Sequence, residues 1–120
     1  MPTVKIKRVY DSPSKSDGLR VLVDRLWPRG IKKADLKYDL WVKDVAPSTT
    51  LRKWFAHDVE KWREFKVRYT KELKGNASFK ELKDLARKRK LTLLYAAKDP
   101  NCNHALVLQE KLNKSQRSPS

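Results

Sequence analysis

Leu91-Thr92-Leu93-Leu94-Tyr95-Ala96-Ala97 is the stretch that decides the fold. It is almost wholly apolar between charged flanks, the pattern of a central strand covered on both faces. Ahead of it, Phe79, Leu82, Leu85 and Ala86 recur at helical spacing, and Ser78-x-x-Glu81 has the form of a capping box. Arg87-Lys88-Arg89-Lys90 then places cations at that helix's C-terminal end, where the macrodipole favours them. After it, Lys98-Asp99-Pro100-Asn101 turns, and a short helix is expected from about His104 to Leu112. Further upstream, Val4 to Tyr10 alternates apolar and basic residues, as a strand with one solvated face does. Leu19 to Trp27 (LRVLVDRLW) carries apolar residues on both faces and reads as a second buried strand. Between the buried strands, Leu51, Trp54, Phe55, Val59, Trp62, Phe65, Tyr69 and Leu73 follow helical spacing. Ser48 or a neighbouring Thr is the expected cap, Asp58 a new N-cap that splits the run, and Gly75-Asn76 its close.

Helices alternating with apolar strands predict an α/β fold: a small three-layer domain, with a parallel or mixed sheet flanked by helices. The strands Leu19–Leu26 and Leu91–Ala97 are expected to lie parallel as neighbours or near-neighbours. The aromatic stripe Trp54, Phe55, Trp62, Phe65 and Tyr69 is expected to be core. Residues 1–113 are expected to form the single domain, and 114–120 a disordered basic tail.

Composition narrows the function classes. The 120 residues suit one domain, with 39% hydrophobic and 36% charged side chains. Lys plus Arg number 29 against 14 Asp plus Glu, a formal charge of +15, and both halves are basic. Such a field draws nucleic acid, phosphate-bearing ligands or acidic partners. One Cys rules out an internal disulfide, and with two His it argues against a structural zinc site. No metal and no cofactor are therefore expected. No apolar run is long enough to span a membrane, and Met1-Pro2-Thr3-Val4-Lys5 does not open a signal peptide, so a cytoplasmic protein with no membrane partner is expected. Glycine-rich phosphate loops, HExxH, paired Cys and GxSxG are all absent.

In parallel sheets ligands gather at the carboxyl ends of strands, and that rule selects the polar residues to weigh. Asp24 and Arg25 sit within Leu22-Val23-Asp24-Arg25-Leu26, and alternation groups Asp24 with Leu22 and Leu26. A carboxylate among leucines must be paired or hydrogen-bonded, either to fix a turn or to face a ligand. Arg25, Arg29, Lys32 and Lys33 put four cations within nine residues at that strand's carboxyl edge, suited to a phosphate or carboxylate. Trp27 either stacks on a ligand or seals the core, the second being the commoner use. At the end of the other strand, Lys98 and Asp99 lead to Asn103 and His104, at the start of the last helix where free N–H groups favour an anion. Asn103 can equally be a plain N-cap and His104 a first-turn residue. Cys102 stands near His104 in sequence, which does not by itself make a catalytic pair. His57-Asp58 has the character of a capping arrangement, and Arg52 that of a surface residue.

The ordered set Asp24-Arg25-Leu26-Trp27-Pro28-Arg29-Gly30, Ala46-Pro47-Ser48, Leu51-Arg52-Lys53-Trp54-Phe55, His57-Asp58, Trp62, Phe65, Tyr69, Leu94-Tyr95-Ala96-Ala97-Lys98-Asp99 and Asn103-His104-Ala105 resembles the YeaO-like branch of the DUF488 family. The resemblance runs from about Lys5 to Leu112 and implies a small three-layer α/β domain. Longer relatives carry a Cys-His-Arg run after the last strand. The matching positions here are Asn103-His104-Ala105, which lack that Cys and that Arg. The leading expectation is a pocket at the strand carboxyl ends that takes a small phosphate- or carboxylate-bearing ligand. Asp24 and His104 are its candidate acid–base residues, and Arg25, Arg29, Trp27, Asn103, Lys98 and Asp99 its ligand-binding residues. Two alternatives are a non-catalytic nucleic-acid-binding domain that uses the dispersed cations, and a small partner-binding scaffold.

Overall fold

The computed structural model describes residues 4–99 and 101–117, with side chains as far as Lys114. Strands β1 (Val4–Arg8), β2 (Leu19–Leu22), β3 (Leu40–Trp41) and β4 (Leu91–Tyr95) form one sheet in the order β1-β4-β2-β3. Every pairing is parallel, with Val4 opposite Leu91, Leu19 opposite Leu91, and Val21 opposite Leu40. The expected neighbours β2 and β4 are thus neighbours, and β4, central and fully buried, is the apolar run with which the sequence reading began. The helices are α1 (Thr49–Phe55), α2 (Trp62–Lys74), α3 (Ala77–Lys88) and α4 (His104–Arg117).

Alternation along the strands divides the core in two. Val21, Val23, Leu91, Leu93 and Tyr95 face the helices and pack with Leu51, Phe55, Phe65, Tyr69, Leu82 and Leu108. Leu22 and Leu94 face the other way, against Leu36 with Trp27, Ile31, Tyr38 and Trp41 around them. The third layer is therefore the folded segment 27–41, which contains a single 3-10 turn (Lys33–Asp35) in place of an α-helix. In the aromatic stripe Phe55, Phe65 and Tyr69 are buried, while Trp54 and Trp62 are half-buried around them. Phe55 stacks on Phe65 at 4.4 Å and Trp62 on Phe65 at 5.6 Å between ring centroids.

Several boundaries differ from the sequence reading, each for a local reason. β2 stops at Leu22, so Asp24 and Arg25 lie beyond the strand and Leu26 is 66% exposed instead of buried. The stripe from Leu51 to Leu73 is split at His57-Asp58 as expected: Ala56 and His57 adopt φ of 46° and 59°, and Asp58 caps a 3-10 turn by accepting from Glu60 N at 3.0 Å. Ser48 caps α1 by accepting from Leu51 N at 3.1 Å. The Ser78–Glu81 capping box does not form. Asn76, extended and one residue ahead of the helix, takes the Phe79 N–H at 3.0 Å, which leaves Ser78 inside α3. α4 continues past the expected end at Leu112 to Arg117, while 118–120 lie outside the described residues.

Two features close the N-terminal end of the sheet. The Asp17 carboxylate is fully buried, pairs with Arg20, and lies 2.8 Å from Lys7 Nζ and 3.5 Å from Lys5 Nζ. Gly18, at φ 65°, lies so close to the chain before β4 that a Cβ would sit 2.4 Å from the Lys90 carbonyl oxygen. The outer edge of β1 is capped by side chains. Val4 N donates to Asn113 Oδ1 at 3.0 Å, Gln109 Nε2 donates to Val4 O at 3.0 Å, and Arg8 N donates to Asp11 Oδ2 at 2.9 Å. Among the described residues no helix is long and apolar enough to cross a membrane.

Candidate functional site

The carboxyl ends of β2 and β4 meet, and the rung that would come next in their ladder is replaced by side chains. Val23 N still donates to Leu94 O at 3.1 Å, which puts Ala96 N opposite Val23 O. Ala96 N instead donates to Asp24 Oδ2 at 3.0 Å, and Val23 O receives His104 Nε2 at 3.0 Å. The strands separate because Asp24 and His104 take up the two backbone groups. This satisfies the burial requirement that a carboxylate among apolar residues imposes.

The exchange brings Asp24 and His104 together, with Nε2 lying 3.3 Å from Asp24 Oδ1. A carbonyl oxygen can only accept, so Nε2 carries the proton and Nδ1 is the ring nitrogen left to bind another. That single proton goes to Val23 O, the shorter contact, and Asp24 Oδ1 is left without a hydrogen bond. Trp41 Nε1 donates to the Asp24 carbonyl at 2.7 Å and holds the turn from the other layer.

Around this pair lies an open hollow of about 920 Å³. Five cations line it: Arg25 and Arg29 after β2, Arg52 and Lys53 on α1, and Lys98 after β4. None of the five has an ion-pair partner among the described residues. Arg25 is tethered only loosely, one Nη2 donating to Ala46 O at 3.2 Å and to Pro47 O at 3.4 Å, while its buried Nε–H has no acceptor. Each carboxylate on the wall has one oxygen engaged by a backbone N–H: Asp24 Oδ2 by Ala96 N, and Asp99 Oδ1 by Asn101 N at 2.8 Å. The rest of the wall is mainly apolar, from Ala46, Pro47, Phe55, Phe65 and Ala97.

The other expected site residues divide by use. Asn103 is 3% exposed and caps α4, its Oδ1 accepting from Leu106 N at 3.0 Å while Nδ2 donates to Asp99 O at 2.9 Å. Trp27 borders the hollow, but its ring packs edge-on against Tyr38 and Trp41 and its Nε1 donates to Ile31 O at 2.6 Å. Lys32 and Lys33 lie outside the hollow. Burial, and then the neighbouring Asp99 carboxylate, push the Cys102 thiol up, so it holds its proton at neutral pH. The sequence reading missed Arg52 and Lys53 as site residues and read His57 as part of a cap. Their link to Asp24 comes only from the packing of α1 through Leu51 and Phe55, which no local spacing reveals.

A family model described as "Inactive DUF488-N3 subclade" matches residues 3–119. The chain belongs to the DUF488 family. Among its relatives, "Uncharacterized protein YeaO" of Escherichia coli K12 is 52% identical over 110 residues, covering 91% of this chain and 96% of that protein. "Uncharacterized protein Mb3100c" of Mycobacterium bovis and "Uncharacterized protein Rv3073c" of Mycobacterium tuberculosis are each 44% identical, covering 92% of this chain and 93% of theirs. No solved structure matches. This DUF488 chain is thus a YeaO-like α/β protein, as the ordered motifs implied.

Proposed function

We propose that this DUF488 protein binds a small phosphate- or carboxylate-bearing ligand in the hollow at the β2 and β4 carboxyl ends, without turning it over. The observation that carries the reading is the convergence on one concave site of five cations that have no ion-pair partner among the described residues. Of the five, Arg25 is half-buried, and Arg29, Arg52, Lys53 and Lys98 stand exposed around the hollow. Binding without turnover agrees with the printed description of the subclade as inactive and with a thiol held in its protonated form. It also gives the Asp24–His104 pair a purpose that needs no catalysis, because it ends the ladder.

The test is thermal shift with inorganic phosphate, since a ligand that binds only the folded state raises its melting temperature. Arg25→Ala and Arg29→Ala are each expected to remove that shift. Lys88→Ala and Lys90→Ala should leave it intact, because they lie before β4, a strand length of roughly 13 Å from its carboxyl end and beyond a Debye length of about 8 Å. Nucleic-acid binding by dispersed cations predicts instead that all four changes weaken oligonucleotide binding alike, with the salt slope falling by about 1 for each contact removed. That pattern, with no phosphate shift, would overturn the pocket.

A further inference from the structure

We infer that His57 makes anion binding in the hollow depend on pH, as a sixth cation that the wall gains only when the imidazole is protonated; the inference rests on the anion-pocket reading above. His57 follows α1, is exposed, and lines the hollow with its ring 6.4 Å from that of Phe55, another wall residue. No hydrogen bond or ion pair engages the imidazole among the described residues. The structural uses of a histidine at a helix end are filled by other groups. Of the last carbonyls of α1, Arg52 O accepts from Ala56 N, Phe55 O from Asp58 N and Trp54 O from Lys61 Nζ, each at 2.9 Å. Asp58 is occupied as the cap of the 3-10 turn, its Oδ1 taking Glu60 N. What remains is the backbone: at φ 59° His57 is left-handed, a conformation that Asn and Asp adopt as readily as His. That accounts for one of these three residues at position 57 and does not choose among them.

The choice matters because histidine is the side chain whose charge changes between about pH 5 and pH 8. The charged groups that share the wall with His57 are Arg52 and Lys53 on α1, Arg25 and Arg29 after β2, and Lys98 after β4, against the carboxylates Asp24 and Asp99. From α2 the wall takes Phe65, which carries no charge. Just before α4, Cys102 holds its proton at neutral pH, and at its start His104 commits Nε2 to Val23 O. An anion seated among the five cations favours one more positive charge on the wall, and by reciprocity a protonated ring favours the anion. Binding therefore takes up a proton at His57, and the hollow holds its ligand more tightly in mild acid.

The test is calorimetric titration of the full chain with sulfate. Sulfate keeps its charge over this range, whereas inorganic phosphate changes its own, and chloride holds the ionic strength constant. Sulfate is expected to bind about three- to tenfold more tightly at about pH 5 than at about pH 8. His57→Asn keeps a residue suited to left-handed backbone and should lose that difference. His57→Lys, charged throughout, should keep the tight binding up to about pH 8. Because the ring is exposed, neither change empties the core. A pH dependence that persists unchanged in His57→Asn overturns the inference and assigns the proton to another group, His104 being the other histidine of the chain. Equal sulfate binding by the parent at both pH values overturns it as well. In either case the pocket reading survives if Arg29→Ala still weakens sulfate. If sulfate binds at neither pH, or Arg29→Ala changes nothing, the pocket reading itself falls and takes this inference with it.

Discussion

Asp17 is a buried carboxylate that serves three cations, and its environment decides how the protein responds to acid. Burial by itself would raise its pKa, but the Lys7 ammonium, the Ser14 N–H and the Arg20 guanidinium outweigh that and hold it well below the usual 3.8. A folded-state value below the unfolded one means that the unfolded chain takes the proton first. The stability from Asp17 is therefore complete above about pH 4 and is lost as pH falls through the folded value. Melting temperature measured from pH 7 downward should fall below about pH 4, and Asp17→Asn should flatten that fall. At neutral pH the same variant should cost about 3–5 kcal/mol, read from denaturant midpoints, because it leaves the buried Arg20 without its counter-charge. Tyr69 offers a second residue-scale case. Its hydroxyl donates to Val45 O at 2.6 Å inside the core, and burial, with the Glu72 charge adding to it, pushes its pKa up. Tyr69→Phe should cost about 1–2 kcal/mol by the same measurement, since the Val45 carbonyl loses its donor while the ring packing stays.

Element ends show most plainly what the sequence could reveal. Asn76 and Ser78 compete for the start of α3, and the structure selects Asn76. Asn76→Ala should lower stability by about 1 kcal/mol and Ser78→Ala by much less, the reverse of what the Ser78-x-x-Glu81 pattern suggests. Gly18 and Gly30 both have positive φ, 65° and 78°, but only at Gly18 does a Cβ meet backbone. Gly18→Ala should therefore cost distinctly more than Gly30→Ala, whose penalty is the roughly 1–2 kcal/mol of left-handed backbone alone. The apolar run of β4, the parallel neighbours and the break at His57-Asp58 were legible because each depends on side-chain pattern over a few residues. The stop of β2 at Leu22 was not. Its cause is the hydrogen bonds from Ala96 N to Asp24 and from His104 to Val23 O, made across the chain by residues remote in sequence. Topology put Asp24 and His104 at the same end of the sheet, but their contact, like the contribution of α1 to the hollow, needed the packed structure.

At the scale of the whole molecule, the uneven covering of the sheet sets what each side does. One face carries all four α-helices and most of the core. The other is closed by the 27–41 segment, where Trp27, Tyr38 and Trp41 meet edge-on. A net charge of +15 is borne by a surface whose pairs at Glu64–Arg68 and Glu110–Lys114 are exposed and contribute little. The clasp on β1 bears on the order of assembly during translation. Of the four strands described, β1 is made before the others, yet it pairs in the sheet with β4, and of the side chains that cover its free edge only Asp11 is close by in sequence, while Gln109 and Asn113 come after β4. Until residues 91–113 have been made, Val4 to Arg8 is an unpaired strand with three cations in five positions. Those like charges discourage two nascent chains from joining edge to edge while β1 waits. The lysines that later serve Asp17 thus guard the growing chain before the carboxylate has a sheet to close.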